Sequence, residues 1–511
     1  MATSSHEVDK TKKYDRQLRL WGEHGQTSLE SCQVCLINAT ATGTEILKSA
    51  SDHSRLSMEI KLPEKMLEIN KDSIGKNRGQ IATQLLLELN SDVRGDFVDE
   101  TPEQLLQNNS VFFNSYSVVI ATSLKESTLL NLAAYLWEVN IPLLVCRTFG
   151  FIGYVRLQVR EHSVVESHPD NAHEDLRLDQ PFPDLIDYVN NMDFSTMSKK
   201  EHSHTPYIVI LLKYLDVWKK SHNNNLPKSY KEKDEFRELI KAGMLRNELG
   251  IPEEEDNFDE AIKVVNAVLV PTKIPGASKP FWVMARALKD FVENEGNGAL
   301  PLRGSIPDMT ADSERYISLQ NIYKNEANKH TEIIFRKVQQ LLLNIGKPQD
   351  YITEADIKMF CKNSAFLRVI KGRSVAEEYN TKTAKVQDIV MHLDNPDSEI
   401  VFYVLLRAVD RFHLEYSRYP GCFNDEVEPD IIKLKTCLSA VLHDWGCGPI
   451  AKDDFVHEMC RYGAAELHSM AAFVGGCSSQ EVIKLVTNQY VPLNNTYIFN
   501  AMTGTSSTFE L

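Results

Sequence analysis

Long apolar runs are missing from this 511-residue chain. None approaches the ~20 residues needed to cross a bilayer, which argues against a membrane span. Positive charge is in deficit as well. Against 71 Asp+Glu stand 56 Lys+Arg, a formal balance of −15. A broad hold on nucleic-acid phosphates or on anionic lipid needs the opposite sign. Cysteines are few and odd in number, nine spread between 32 and 477, which fits reduced thiols better than a disulfide framework. Residues 1–17 hold no apolar signal-peptide core. The expectation is a soluble, cytoplasmic protein, with the nucleus also open, that binds no nucleic acid.

What is present supports an ordinary globular chain. Hydrophobic residues make up 42%, and the length suits about three domains at ~100–200 residues each. The first third reads as α/β. Gln33–Ala39 is a mostly apolar run of strand length, followed by a helical stretch from Thr42. Ser117–Ala121, Glu126–Val139 and Ile141–Cys146 read as strand, helix and strand, which implies a parallel right-handed crossover in a doubly wound sheet. Gly153–Val159 alternates and reads as a more exposed strand. From His168 to Gly463 the apolar residues mostly take helical spacing, as Ile208, Leu211, Leu212, Leu215 and Trp218 do. The acidic stretch Ile251–Glu260 reads as a solvated loop entering a helix N-terminus. The last 45 or so residues return to α/β, with a helix at Met470–Val486 and a closing strand at Val491–Phe499.

A nucleotide fold should carry glycines where the first strand meets its helix, and these are missing too. The turn reads Asn38-Ala39-Thr40-Ala41-Thr42-Gly43, one glycine where G-x-G-x-x-G has three. Side chains on Ala and Thr stand where the backbone must approach the phosphates. No Walker loop, H-E-x-x-H or G-x-S-x-G occurs. Cys32-x-x-Cys35 lacks a second pair, and Cys35 lies in the apolar strand, so both read as core. His162, His168, His173, His202 and His204 read as loop or capping residues. Nothing local marks Cys361, Cys437, Cys447 or Cys460 as an activated nucleophile.

Lys13-Tyr-Asp-Arg-Gln-Leu-Arg-Leu-Trp-Gly22 resembles the opening of the activating enzymes for ubiquitin and ubiquitin-like proteins. Ala472–Lys484, Tyr490–Leu493 and Tyr497–Phe499 resemble the closing helix and strand of that family. Ile141–Gly150, Glu166–Asp170, Arg303–Ser313, Asn363–Arg368 and His457–Ala465 extend the likeness over nearly the whole chain. Within the family they resemble the non-catalytic, regulatory half of a two-chain, ATP-dependent enzyme acting on the ubiquitin-like modifier of cullins.

The resemblance implies an inactive adenylation-type, Rossmann-like α/β domain at 8–165 and 466–511. It implies a large helical insertion at 166–465 without an assigned nucleophile. It implies no cofactor on this chain, with ATP and Mg acting on a catalytic partner subunit, and the modifier as a further partner. It implies Arg16 as a residue reaching the partner's ATP phosphates. A guanidinium suits that role, and an ion pair with Asp15 or Glu23 is the alternative. It implies a partner-touching segment at 308–321, with Asp308, Met309, Tyr316, Ile317, Leu319 and Asn321. The rival readings are an interaction scaffold outside the pathway and a stand-alone nucleotide enzyme.

The chain departs from the family at Ser49–Asn70 and at a short joint, Val270–Lys279. The first segment shows no clear second strand, and Ser49–Ser57 reads as a loop. A missing strand beside the first would leave buried backbone groups unpaired, ~1–3 kcal/mol each.

Overall fold

The computed structural model describes residues 12–51, 57–61, 76–90, 92–169, 174–248, 250, 252–265, 280–448 and 454–511. The chain divides into two compact units. One joins Met1–Ser167 to Arg368–Leu511, and the other is His168–Leu367.

The first unit is built on an eight-stranded sheet. Helix α1 (Asp15–Ser31) leads into β1 (Gln33–Ile37), then α2 (Ala41–Ser51), β2 (Ser57–Lys61), α3 (Arg78–Leu89) and β3 (Arg94–Val98). Next come β4 (Val118–Thr122), α4 (Glu126–Val139), β5 (Leu143–Phe149), β6 (Ile152–Gln158) and β7 (His162–Val164). After the second unit the chain returns with β8 (Arg368–Ile370), α5 (Val375–Tyr379), α6 (Ile400–Tyr416), α7 (Val427–Asp444) and α8 (Asp454–Tyr462). It closes with α9 (His468–Thr487), β9 (Thr496–Asn500) and β10 (Thr505–Phe509).

The sheet order is β10-β9-β6-β5-β4-β1-β2-β3. Strands β3, β2, β1, β4 and β5 run parallel, and β6, β9 and β10 extend them antiparallel. Alternate side chains of a strand face opposite sides, and here both sides are covered. Val34, Leu36, Ile120 and Leu144 pack on α2, α3 and α9 through Ile46, Leu86 and Val474. Cys35, Ile37, Val119 and Leu143 pack on the other side with Leu132 of α4, Val404 of α6 and Leu438 of α7. Helices α2 and α9 touch closely because Gly475 lacks a side chain. A methyl there would lie 2.8 Å from Glu45 Cβ.

Four expectations need correction here. Ser57–Lys61 is a strand, paired in parallel with both β1 and β3, so the slot beside β1 is filled. The stretch Ser-Met-Glu-Ile-Lys is short and alternates with charge, which hid it. Ser49–Ser51 belong to helix α2 rather than to a loop. Residues 52–56 and 62–70, and the joint at 270–279, lie outside the described residues. Strand β6 is buried along its whole length rather than exposed. Its one charge, Arg156, is only 1% exposed because Glu378 meets it 2.6 Å away. Finally, the sheet-bearing unit resumes at Arg368, well before 466. The apolar faces of α6, α7 and α8 belong to its core, through Phe402, Leu434 and Val456.

The second unit is mainly helical. Tyr207–Ser221, Asp256–Val264 and the 32-residue helix Ser313–Asn344 share a core of Ile208, Leu215, Trp218, Phe258, Leu319 and Tyr323. The acidic stretch enters the helix Asp256–Val264 as expected, with Glu254, Asp256 and Asp259 exposed, and one of its carboxylates is drawn into this unit. Glu255 is 3% exposed, lies 2.7 Å from His202 Nδ1 and accepts the Leu245 N–H at 2.9 Å. Among the described residues no helix is long and apolar enough to cross a membrane.

Candidate functional site

The turn between β1 and α2 is closed rather than cradle-shaped. Asn38 adopts φ +67°, and its carbonyl accepts the Thr40 N–H at 2.8 Å. The same carbonyl takes the Thr122 hydroxyl, and the Asn38 amide donates to the Thr122 carbonyl at 2.9 Å. Ala39 and Thr42 are buried, and Thr42 shares a hydrogen bond of 2.8 Å with Thr148 of β5. At Gly43 a methyl would lie 3.0 Å from Leu36 and 3.1 Å from the Asn38 carbonyl, so even the one retained glycine serves packing.

A carboxylate sits at this helix N-terminus. Glu466 Oε2 accepts the Thr42 N–H at 3.3 Å, and Ser123 Oγ lies 3.5 Å from Oε1. Burial pushes the Glu466 carboxyl above its ordinary value, against the opposing pull of these donors. Nothing in the sequence couples position 466 to position 42, since only the fold brings them together.

Arg16 lies exposed near the start of α1. Two residues earlier, Tyr14 is 2% exposed. Its hydroxyl donates to Asp92 at 3.0 Å, and Lys13 Nζ reaches the same carboxylate at 2.8 Å. Asp15 pairs with Arg19 at 2.9 Å. Among the described residues no carboxylate pairs with Arg16. Gly22, at φ +67°, kinks the helix directly after the buried Trp21, and Gly25, Gln26 and Leu29 are buried beyond it.

The segment 308–321 divides by burial. Leu319 is fully buried and Met309 nearly so, both in the core of the helical unit. Tyr316 packs against that core from its edge. Ile317 is 53% exposed, and Asp308 and Asn321 are exposed with it. Leu319 and Met309 therefore support this surface from below, and Asp308, Ile317 and Asn321 form it.

None of the candidate thiols is activated. Burial pushes Cys361 and Cys460 up to about 12 and Cys437 to about 11, and raises Cys447. A nucleophile needs the opposite shift. Cys32 and Cys35 are buried. Among the described residues no group of His, Cys, Asp and Glu could hold a metal ion.

One polar cluster escaped the sequence reading. A cavity of about 30 Å³, room for a water molecule, is lined by Ser123, Glu126, Arg147, Tyr379, Arg407 and Asp410, among others. Arg147 pairs with Asp410 at 2.6 Å, and the Arg407 guanidinium lies 3.4 Å above the Tyr379 ring. Arginines inside apolar helical or strand patterns were the available signal.

No family model matches the chain. A NEDD8-activating enzyme E1 regulatory subunit of Danio rerio is 52% identical over 528 residues, covering 99% of both chains. The regulatory subunit AXR1 of Arabidopsis thaliana is 39% identical over 531 residues, covering 99% of this chain and 97% of its own. The Saccharomyces cerevisiae regulatory subunit is 24% identical over 533 residues, covering 98% and 100%. Among solved structures, the E. coli tRNA N6-threonylcarbamoyladenosine dehydratase aligns with 30% of this chain and 66% of its own. That fit has a TM-score of 0.25 at 17% identity, too slight to bear on function.

Proposed function

The chain belongs to the regulatory subunits of the NEDD8-activating E1 enzyme, and on that premise we propose how a half without a nucleotide turn serves the reaction. ATP and Mg²⁺ act on a separate catalytic chain. That chain adenylates the modifier's C-terminal carboxylate and takes the modifier as a thioester. The present chain supports both steps by stabilising its partner's nucleotide-bearing domain and forming part of the modifier groove. The observation that carries this reading is the β1–α2 turn, packed shut and fitted with a carboxylate where phosphate would lie.

Two surfaces follow for the partner. Arg16, exposed on a segment anchored by Tyr14 and Asp92, is the residue we assign to the partner's ATP phosphates, where a guanidinium gives charge-assisted bonds. Asp308, Ile317 and Asn321 form a contact of an exposed apolar anchor within a polar rim.

Reconstitution tests the proposal. The catalytic chain, modifier and ATP are combined with and without this protein, and thioester is scored. Thioester that depends on this chain supports the reading. Equal thioester without it, or failure of the two chains to co-purify, favours a scaffold outside the pathway. Saturable ATP binding by this chain alone favours an independent nucleotide enzyme.

A further inference from the structure

Resting on the reading that Asp308, Ile317 and Asn321 meet the catalytic chain, we propose that Glu260 and Arg315 are positioning residues for that surface. Glu260 acts through Thr310, and Arg315 acts through residues 201–205. Together they hold the contact in its binding shape before the partner arrives.

Residues 301–312 form neither helix nor strand, so no ladder fixes where Asp308 stands. Backbone donors in such a segment still need acceptors, and other elements supply them. Glu260, in the helix Asp256–Val264, takes Thr310 with both carboxylate oxygens. Its Oε2 accepts the Thr310 N–H at 3.0 Å, and its Oε1 accepts the hydroxyl at 2.8 Å. The Asp312 N–H donates to the His204 carbonyl at 3.1 Å. At the start of the helix Ser313–Asn344, Arg315 reaches the same stretch. Its Nη1 donates to the Glu201 carbonyl at 2.8 Å and to the Thr205 hydroxyl oxygen at 3.1 Å. Asp308 stands two residues before Thr310, and Ile317 two residues after Arg315, so these ties bracket the contact surface.

Residues 201–205 are themselves held by the acidic stretch. Glu255 lies 2.7 Å from His202 Nδ1. Asn257, fully buried, donates to the His202 and Thr205 carbonyls at 2.8 and 2.9 Å. Positions 255, 257 and 260 therefore tie to the contact segment twice, directly at Thr310 and indirectly through 201–205. Solubility is the ordinary reading of an acidic run, and it covers the exposed acids here but not these three positions. A contact held in shape beforehand loses less freedom on binding, which is how preorganisation adds affinity. Bonds to a carboxylate are stronger than neutral ones, so the loss of Glu260 should be measurable in affinity.

The test measures binding of the full chain to the catalytic chain, beside the melting temperature and amide exchange of the free chain. Glu260→Ala should weaken binding about tenfold and speed exchange at 308–312. Glu260→Gln keeps one acceptor oxygen and should restore most of the affinity. Thr310→Val removes only the hydroxyl bond and should weaken binding about threefold, which keeps the test alive if Glu260→Ala fails to fold. Combining Thr310→Val with Glu260→Ala should add nothing to the loss from Glu260→Ala, because the two residues share one tie. A purely structural role would lower the melting temperature and leave the affinity of the folded chain unchanged. A folded Glu260→Ala chain that binds as wild type does, while Ile317→Asp weakens binding, would overturn the positioning role and leave the contact surface standing. If Ile317→Asp also binds as wild type does, the contact reading fails and the positioning role fails with it.

Discussion

Glu378→Ala should destabilise the sheet-bearing unit by about 3–5 kcal/mol, the cost of leaving one member of a buried ion pair uncompensated. Arg156 and Glu378 are 1% and 2% exposed. Arg156 Nε lies 2.6 Å from Glu378 Oε2, and its other nitrogens donate to the Leu157 and Arg373 carbonyls. The second carboxylate oxygen accepts the Tyr403 hydroxyl at 2.8 Å. Truncation removes one acceptor from each neighbour and leaves a guanidinium in a core too dry to hydrate it. Glu378→Gln keeps the shape and an acceptor oxygen, so its loss should be smaller, about 1.5–3 kcal/mol. Replacing both residues, as Arg156→Met with Glu378→Leu, should recover most of the loss, because apolar substitutes for a buried pair are often neutral. The assay is denaturant unfolding of the three variants beside wild type. A Glu378→Ala protein within about 1 kcal/mol of wild type would refute the reasoning. It would also undercut the assignment of residues from Arg368 onward to the sheet-bearing unit, since this pair ties β6 to α5.

Other outcomes follow from single sites. Burial alone would raise the carboxyl of fully buried Asp430, but bonds from Arg418, Gly421 and Lys433 hold it down to about 2 from 3.8. Its stabilisation, about 2 kcal/mol, is complete above the unfolded value near 3.8 and lost as pH falls through about 2. Asp430→Asn should therefore weaken the protein at pH 6 and flatten its acid-unfolding curve in that window, and an unchanged curve would contradict the assignment. Arg16→Ala should slow ATP–pyrophosphate exchange by the reconstituted pair about 10–100-fold, the worth of one charge-assisted bond, without separating the chains. Unchanged exchange would remove Arg16 from that role. Ile317→Asp should weaken co-purification with the catalytic chain at unaltered melting temperature. Leu319→Ala, two residues on, should instead cost about 2–5 kcal/mol of stability, and equal effects from both variants would dissolve the surface-and-support distinction.

The sequence made β1, β4 and β5 readable because these strands are continuous apolar runs, as at Val34–Ile37 and Val118–Ala121. Helix α4 carried an unbroken apolar face, and its bounds matched the expected Glu126–Val139. Strand β2 was hidden because Glu59 and Lys61 alternate with its two apolar residues. Strand β6 was taken as exposed because a charged residue reads as solvent-facing, and no local pattern reveals that Glu378 lies 222 positions away to neutralise Arg156. The return at Arg368 was missed because helices α6 and α7 look like any amphipathic helix. Only the fold shows which core they enter. At the candidate site, the absent glycines were legible and the arriving carboxylate was not, since a single Glu after Ala464-Ala465 carries no motif.

The central claim is that this chain supports thioester chemistry without bearing it. The most direct measurement maps the thiol-sensitive modifier adduct after ATP is added to the reconstituted pair, resolving the two chains on non-reducing gels. The adduct is expected on the catalytic chain alone, and only when this protein is present. A thiol-sensitive modifier adduct on this chain, lost when Cys361, Cys437, Cys447 or Cys460 is replaced, would contradict it.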